Sequence, residues 1–229
     1  MKKAVLVDFD GVILRNNVAN KYISSRIKTY VSRKLHTDNA NIIERFAEKV
    51  YRDHGHTEQG MTKHGYVTSL TEFNYHVYDS YDAKMQYSDI VMTSEEKDEW
   101  CKFRDVCDSR GVEVLIYSNA SLNWVKNFIN TDDDKSTLLL CEYLESFRHT
   151  SDNILKPSKM ISTIVTNFVK EKHTHAFFID DSLNNLSMVT RNSFYTRVWF
   201  DNSIDSDAAV LLKEGLYVVN TLDKIADIL

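Results

Sequence analysis

The first eleven residues restrict the fold more than any other segment. Lys3 to Phe9 is a continuous β-branched and apolar run that ends in Asp8-Phe9-Asp10-Gly11. A strand apolar at consecutive rather than alternate positions is buried on both faces, as in the middle of a parallel sheet, and parallel neighbours need helical crossovers between them. The same signature recurs down the chain. Val112 to Tyr117 ends at Ser118-Asn119, Ala176 to Ile179 ends at Asp180-Asp181, and residues 196–200 and 216–219 read as further strands.

Helices fill the intervals. Thr93 with Glu96 forms a capping box, Trp100, Phe103, Val106 and Cys107 share one face, and Gly111 supplies a stop, which predicts a helix over about 94–110. Leu122, Val125, Phe128 and Ile129 fall at helical spacing after the second strand. Pro157 in a first turn opens an amphipathic helix carrying Met160, Ile161, Ile164, Val165, Phe168 and Val169, and Thr221 caps a last helix to Leu229. Within 131–155 the run Leu138 to Cys141 fits a strand or the start of a helix. From Arg15 to about Asp89 the pattern is helical throughout, with Val18, Tyr22, Ile27, Tyr30, Val31 and Leu35, then Ile42, Ile43, Phe46, Ala47 and Val50, recurring at turn spacing. The expected fold is therefore α/β: a doubly wound, Rossmann-like parallel sheet core over residues 1–14 and 90–229, with an inserted all-helical domain over 15–89.

Composition excludes several functions. A formal net charge of −5 over 229 residues gives no global positive field, so stable nucleic-acid binding is not expected. No apolar run reaches the roughly 20 residues of a membrane helix, the longest being short stretches such as residues 208–212. The apolar run after Met1-Lys2-Lys3 stops at Asp8, too early for a signal peptide. Cys101, Cys107 and Cys141 are odd in number and lack CxxC spacing, so they read as buried apolar fillers in a reducing, cytoplasmic setting. His54 with His56 and His173 with His175 lack carboxylate or thiol partners at zinc spacing and read as ordinary histidines. Six basic residues and no acidic one between Arg15 and Thr37 read as a solvated helix face.

Ligands of open parallel sheets bind at the carboxyl ends of the strands. Three strands deliver polar groups to that edge: Asp8 and Asp10, Ser118 and Asn119, Asp180 and Asp181. Lys156 before a helix adds an ammonium. Clustered carboxylates repel one another unless a hard, oxygen-preferring cation neutralises them, and Mg²⁺ is the natural choice.

In order and over nearly the whole chain, Val5-Leu6-Val7-Asp8-Phe9-Asp10-Gly11-Val12, Leu115-Ile116-Tyr117-Ser118-Asn119, Lys156-Pro157 and Phe177-Phe178-Ile179-Asp180-Asp181-Ser182 resemble the four motifs of the haloacid dehalogenase-like superfamily. The resemblance implies that Asp8 attacks phosphorus to form an aspartyl-phosphate and that Asp10 is the general acid and then the base, its backbone carbonyl touching the metal. Ser118, Asn119, Lys156 and the amides of Phe9 to Gly11 would bind the phosphate. Asp181 would ligate the metal directly, with Asp180 close by or acting through water. Asn185 departs from the acidic residue often found at its position. Superfamily members that cleave carbon–halogen bonds lack a proton donor at the place of Asp10, because halide leaves unprotonated, so phosphoryl chemistry is favoured.

Within the helical block, the segment 51–61 with Glu72-Phe73-Asn74 and Val77-Tyr78-Asp79 is similar to the cap of pyrimidine 5′-nucleotidase-type members. This implies a leaving group read by Gly55, Gly60, Met61, Phe73 and Asn74. The expected activity is Mg²⁺-dependent hydrolysis of a small phosphorylated metabolite, a nucleoside 5′-monophosphate in the first instance. A sugar-phosphate phosphatase on the same core and a catalytically idle binding module are the alternatives.

Overall fold

The computed structural model describes residues 2–87, 89–129, 137–139, 155–189, 192–205, 207, 209–213 and 215–229. The apolar run at the start forms β1 (Lys3–Val7), in which Ala4, Val5, Leu6 and Val7 are all buried. Then come α1 (Asn17–Leu35), α2 (Ala40–His54), α3 (Thr57–Lys63), α4 (Leu70–Asn74), a π-helical turn (Tyr75–Asp79) and α5 (Tyr81–Tyr87), all helical. The chain continues through α6 (Ser94–Ser109), β2 (Val112–Ile116), α7 (Leu122–Phe128), β3 (Thr137–Leu139), α8 (Lys159–Lys170), β4 (His175–Asp180), α9 (Leu183–Ser187), β5 (Tyr195–Phe200), β6 (Val210–Lys213) and β7 (Leu216–Val219). A 3₁₀ turn (Leu222–Asp227) ends it.

Among the described residues seven strands form one sheet in the order β3-β2-β1-β4-β5-β7-β6, parallel except for β6. This is the doubly wound α/β architecture expected from the sequence, with helices inserted after the first strand. From β1 the chain builds β2 and then β3 on one side, and the crossover from β3 returns past β1 to place β4 on its other side, so β1 sits at the switch point where ligands bind. Val7 pairs with Ile116 of β2 and Ile179 of β4, so Asp8, Tyr117 and Asp180 follow at the same level. Register alone therefore gathers the motif residues of three strands.

Some local readings hold and others change. Thr93 and Glu96 make the expected capping box on α6, and Trp100 and Phe103 are core. Leu138 and Leu139 lie in the strand β3, which settles that part of the open segment; Cys141 and the rest of 140–154 lie outside the described residues. Ser158, not Pro157, caps α8: its hydroxyl accepts from the Met160 amide, and the proline stands one residue earlier. The closing segment is 3₁₀ rather than α, and Thr221 makes no side-chain cap bond there. Cys107 is buried as expected, whereas Cys101 is exposed. In the basic row on α1 and its approach, Arg15 pairs with Glu99, Lys34 with Glu72, Lys28 with Glu44, and Arg26 donates to the His76 carbonyl. These charges tie helices together rather than simply facing water.

Candidate active site

Beyond Val7 the chain turns sharply. Gly11, at φ +86°, occupies left-handed backbone, and a Cβ built on it would lie 2.2 Å from Asp181 Oδ2. Glycine at this position thus lets the third-strand carboxylate rest against the first-strand loop. Asp8 is buried, its Oδ1 accepting from the Phe9 amide at 2.8 Å.

Lys156 is completely buried beneath this loop. Its ammonium meets Asp8 Oδ2 at 2.9 Å and Asp180 Oδ2 at 2.7 Å, and donates to the Tyr117 carbonyl at 2.9 Å. Asn119 fixes the lysine's backbone, accepting from the Lys156 amide at 2.9 Å and donating to its carbonyl at 3.0 Å. Asp180, also fully buried, accepts in addition from the Ser182 amide and from Asn185 Nδ2.

Charge does not balance within this group. Asp8, Asp180 and Asp181 each bring a carboxylate oxygen to within 4.8 Å of the others, and among the described residues the single cation paired with them is Lys156. Burial raises the pKa of Asp8 well above the ordinary carboxylate value; Asp180 and Asp181 add to the rise while Lys156 opposes it. Burial also raises Asp181 to about 6, with Asp180 adding and Lys156 opposing. Burial by itself would depress the lysine, but the two aspartates reverse the sign and hold it protonated. The Oδ1 of Asn185, buried at the edge of the same cluster, has no hydrogen-bond partner among the described residues. An excess of hard oxygen donors beside an orphaned acceptor suits Mg²⁺ with its retained waters.

Asp10 is held separately. Its Oδ1 accepts from the indole N–H of Trp124 at 2.9 Å, an interaction that sequence reasoning missed because the partners lie 114 residues apart. Burial raises its pKa to about 6, the indole bond opposing and Asp181 adding to the shift. Trp124 is wholly buried and stacks on Tyr22 of α1, with Tyr78 and Tyr87 against it, so the carboxyl sits on a rigid aromatic junction between inserted helices and core.

Above the carboxylates lies a cavity of about 550 Å³. Asp8, Asp10, Gly11, Ser118, Asn119 and Asp181 line its floor. Of the inserted residues singled out from the sequence, Gly55 and Phe73 line it; Gly60, Met61 and Asn74 do not. A Cβ on Gly60 would meet Val50 Cβ at 2.5 Å, so this glycine serves the packing of α3 on α2. Met61 is core and Asn74 is buried. A Cβ on Gly55 would meet Pro157 at 2.7 Å, so that glycine lets the corner after α2 approach the residue following Lys156. Phe9 is buried and its amide is taken by Asp8. Tyr51, Lys28, Glu44 and Glu48 also line the cavity; they lie on faces of α1 and α2 that helical periodicity cannot orient toward a site. Burial and the neighbouring carboxylates, Asp181 first, push the Tyr51 phenol pKa up.

This combination of sheet order, insertion point and carboxylate edge defines a haloacid dehalogenase-like fold, and comparison with solved structures agrees. The chain is similar to a HAD phosphatase from Thermococcus onnurineus, at 16% identity and TM-score 0.53, over 99% of this chain and 97% of that one. It is likewise similar to the L-2-haloacid dehalogenase of Xanthobacter autotrophicus with chloropropionic acid covalently bound, at 11% identity and TM-score 0.54, over 100% and 98%. A third likeness is to the 2-haloacid dehalogenase of Pseudomonas syringae, at 10% identity and TM-score 0.52, over 100% and 98%. At these identities the likeness is one of fold. No family model and no curated protein matches the chain.

Proposed function

We propose that this chain is an Mg²⁺-dependent hydrolase of phosphomonoesters that works through an aspartyl-phosphate on Asp8. The observation that carries this reading is the pairing of Asp8, anchored by Lys156, with an Asp10 that is hydrogen-bonded to Trp124 and has a pKa near 6. A carboxyl with that pKa can both donate and accept a proton near neutrality, the property a general acid–base requires.

The steps assigned to the chain's own residues are these. An Asp8 oxygen bonds to phosphorus as the ester P–O bond breaks, and the Asp10 proton passes to the departing alkoxide. Asp10, now ionised, takes a proton from a water that attacks phosphorus; the bond to Asp8 breaks, and inorganic phosphate leaves with Asp8 regenerated. Ser118 supplies a hydroxyl beside the incoming phosphate, and Lys156 keeps Asp8 ionised and oriented. Asp8, Asp181 and Asp180, with the Asp10 carbonyl, would hold Mg²⁺, which when bound supplies the positive charge that lets a carboxylate approach a phosphate dianion.

Dehalogenation fits the site less well, because halide leaves without a proton and Asp10 would then have no task. For the leaving group, a nucleoside of pyrimidine type is the reading favoured by cavity size and by the aromatic wall of Tyr51, Tyr78 and Phe73. The test compares hydrolysis of 4-nitrophenyl phosphate, uridine and cytidine monophosphates and glucose 6-phosphate, with dehalogenation of L-2-chloropropionic acid, in Mg²⁺ and in excess chelator. Phosphate release that is lost in chelator and restored by Mg²⁺ supports the reading; chloride release without phosphate release refutes it. Tyr51→Ala should then depress turnover of the pyrimidine monophosphates more than that of the aryl ester, and a proportionate loss would remove the nucleotide assignment.

A further inference from the structure

One wall of the cavity is built from successive turns of two helices: Asn20, Ser24 and Lys28 on α1, and Glu44, Glu48 and, nearest the carboxylates, Tyr51 on α2. A second groove of about 760 Å³ shares Asn20, Ser24, Lys28 and Glu44 with it, and continues along α1 past the hydroxyls of Ser25, Thr29 and Ser32. A leaving group longer than the cavity thus has a path lined by hydroxyl and amide groups, with Lys21 and Asp38, one charge of each sign, further along it.

Uncommitted positive charge is what this wall lacks among the described residues. Lys28 is the only lysine or arginine among the described residues lining the cavity, and its ammonium is already 2.5 Å from Glu44 Oε1. Glu48, one turn along α2 on the same side, makes no ion pair among the described residues. Lys156 lies below the floor with its ammonium engaged by Asp8 and Asp180. His56, the remaining titratable base on the wall, is buried against Phe73, the ring centroids 4.9 Å apart. A substrate bearing one phosphate finds its neutralising charge at the floor. A second anion on the leaving group would have to displace Glu44 from Lys28 while facing Glu48.

We infer that the site selects phosphomonoesters of polar alcohols with no second negative charge, neutral or cationic, and discriminates against bisphosphates and phosphorylated acids. The inference rests on the phosphatase reading and adds the substrate class to it. It also assigns Glu48 and the Lys28–Glu44 pair as specificity determinants rather than catalytic residues.

The experiment measures kcat/KM for phenyl phosphate and 4-carboxyphenyl phosphate with the full chain in Mg²⁺, for the unmodified protein and for Glu48→Lys, at low and high salt. Taking the ratio between the two proteins cancels the esters' intrinsic reactivities. Glu48→Lys should raise the carboxylated-to-neutral ratio roughly fivefold, the effect of reversing one charge about 8 Å from another in a high dielectric. The gain should shrink as salt screens it, which a merely structural change would not do. Lys28→Ala, which frees Glu44, should move the ratio the opposite way. If both ratios stay at the unmodified value while phenyl phosphate is hydrolysed, the charge selection is wrong and the phosphatase reading stands. If the unmodified protein hydrolyses neither ester, the reading beneath it has failed and the inference falls with it.

Discussion

Lys156 is the residue whose removal tests the electrostatic account most severely. In Lys156→Met the stem is replaced by a chain of similar volume, but Asp8 and Asp180 lose their shared cation at 2.9 and 2.7 Å. At an effective dielectric of about 20 each contact is worth roughly 6 kcal/mol before solvation is counted. The variant recovers the cost of burying an ammonium, several kcal/mol, and removing one partner of a buried pair typically costs about 3–5 kcal/mol net. For a domain of this size that lowers Tm by about 6–20 °C. The loss should depend on pH. Without Lys156 the folded-state pKa of Asp8, already raised, rises further, so the folded state binds more protons than the unfolded one and stability falls as pH increases through the ordinary carboxylate range and upward. Differential scanning calorimetry of both proteins, metal-free, at pH 5 and pH 8 should show a larger deficit at pH 8. Mg²⁺ should recover part of it by taking over the neutralisation. A variant with Tm within 2 °C of the original at pH 8, or a deficit unaffected by pH, would show that the buried lysine does not hold the carboxylates together.

Other consequences concern the acid and the metal. Asp10→Asn should slow alkyl phosphates at least about a hundredfold and esters of acidic phenols much less, since these need little proton donation; equal losses would contradict the acid role. Trp124→Phe removes the indole donor from Asp10, and should lower turnover about tenfold with the alkyl ester the worse affected. It should also cost about 2 kcal/mol or more of stability through lost packing, read by urea denaturation. In the metal-free protein Asp10 and Asp181 both have pKa values near 6, above the ordinary value, so stability should decline from about pH 4 to pH 6, and saturating Mg²⁺ should flatten that decline.

The sheet was legible because its strands are apolar at consecutive positions and end abruptly in Asp or Ser, a pattern that few structures other than a buried parallel strand produce. The same rule fails for β6: its Val210, Leu211 and Leu212 are apolar at consecutive positions yet exposed, because it is a four-residue antiparallel edge strand rather than a buried parallel one. At the site, Asp8 and Asp180 could be placed together because strand register converts sequence position into height along the sheet, whereas Lys156, which lies on no strand, was legible only from its place before a helix and its motif. Trp124, Tyr51 and Glu48 could not, since they reach the site from helix faces whose rotation is decided by tertiary packing. Gly60 and Met61 show the converse error, a glycine and a methionine whose motif context suggested a ligand but whose surroundings, Val50 and the core, account for them. The basic row on α1 was legible as charge but not as pairing, because its partners come from α2, α4 and α6.

The central claim is that phosphate passes through Asp8, and it is tested most directly by trapping. Asp10→Asn leaves the nucleophile in place but removes the base that activates water, so a phosphoryl group transferred from 4-nitrophenyl phosphate should accumulate. Acid quench, proteolysis and mass spectrometry should then find the adduct on the peptide containing Asp8, and on no peptide when Asp8→Asn is added. A variant that still releases nitrophenol with no adduct on that peptide, or with the adduct on another residue, would contradict the mechanism.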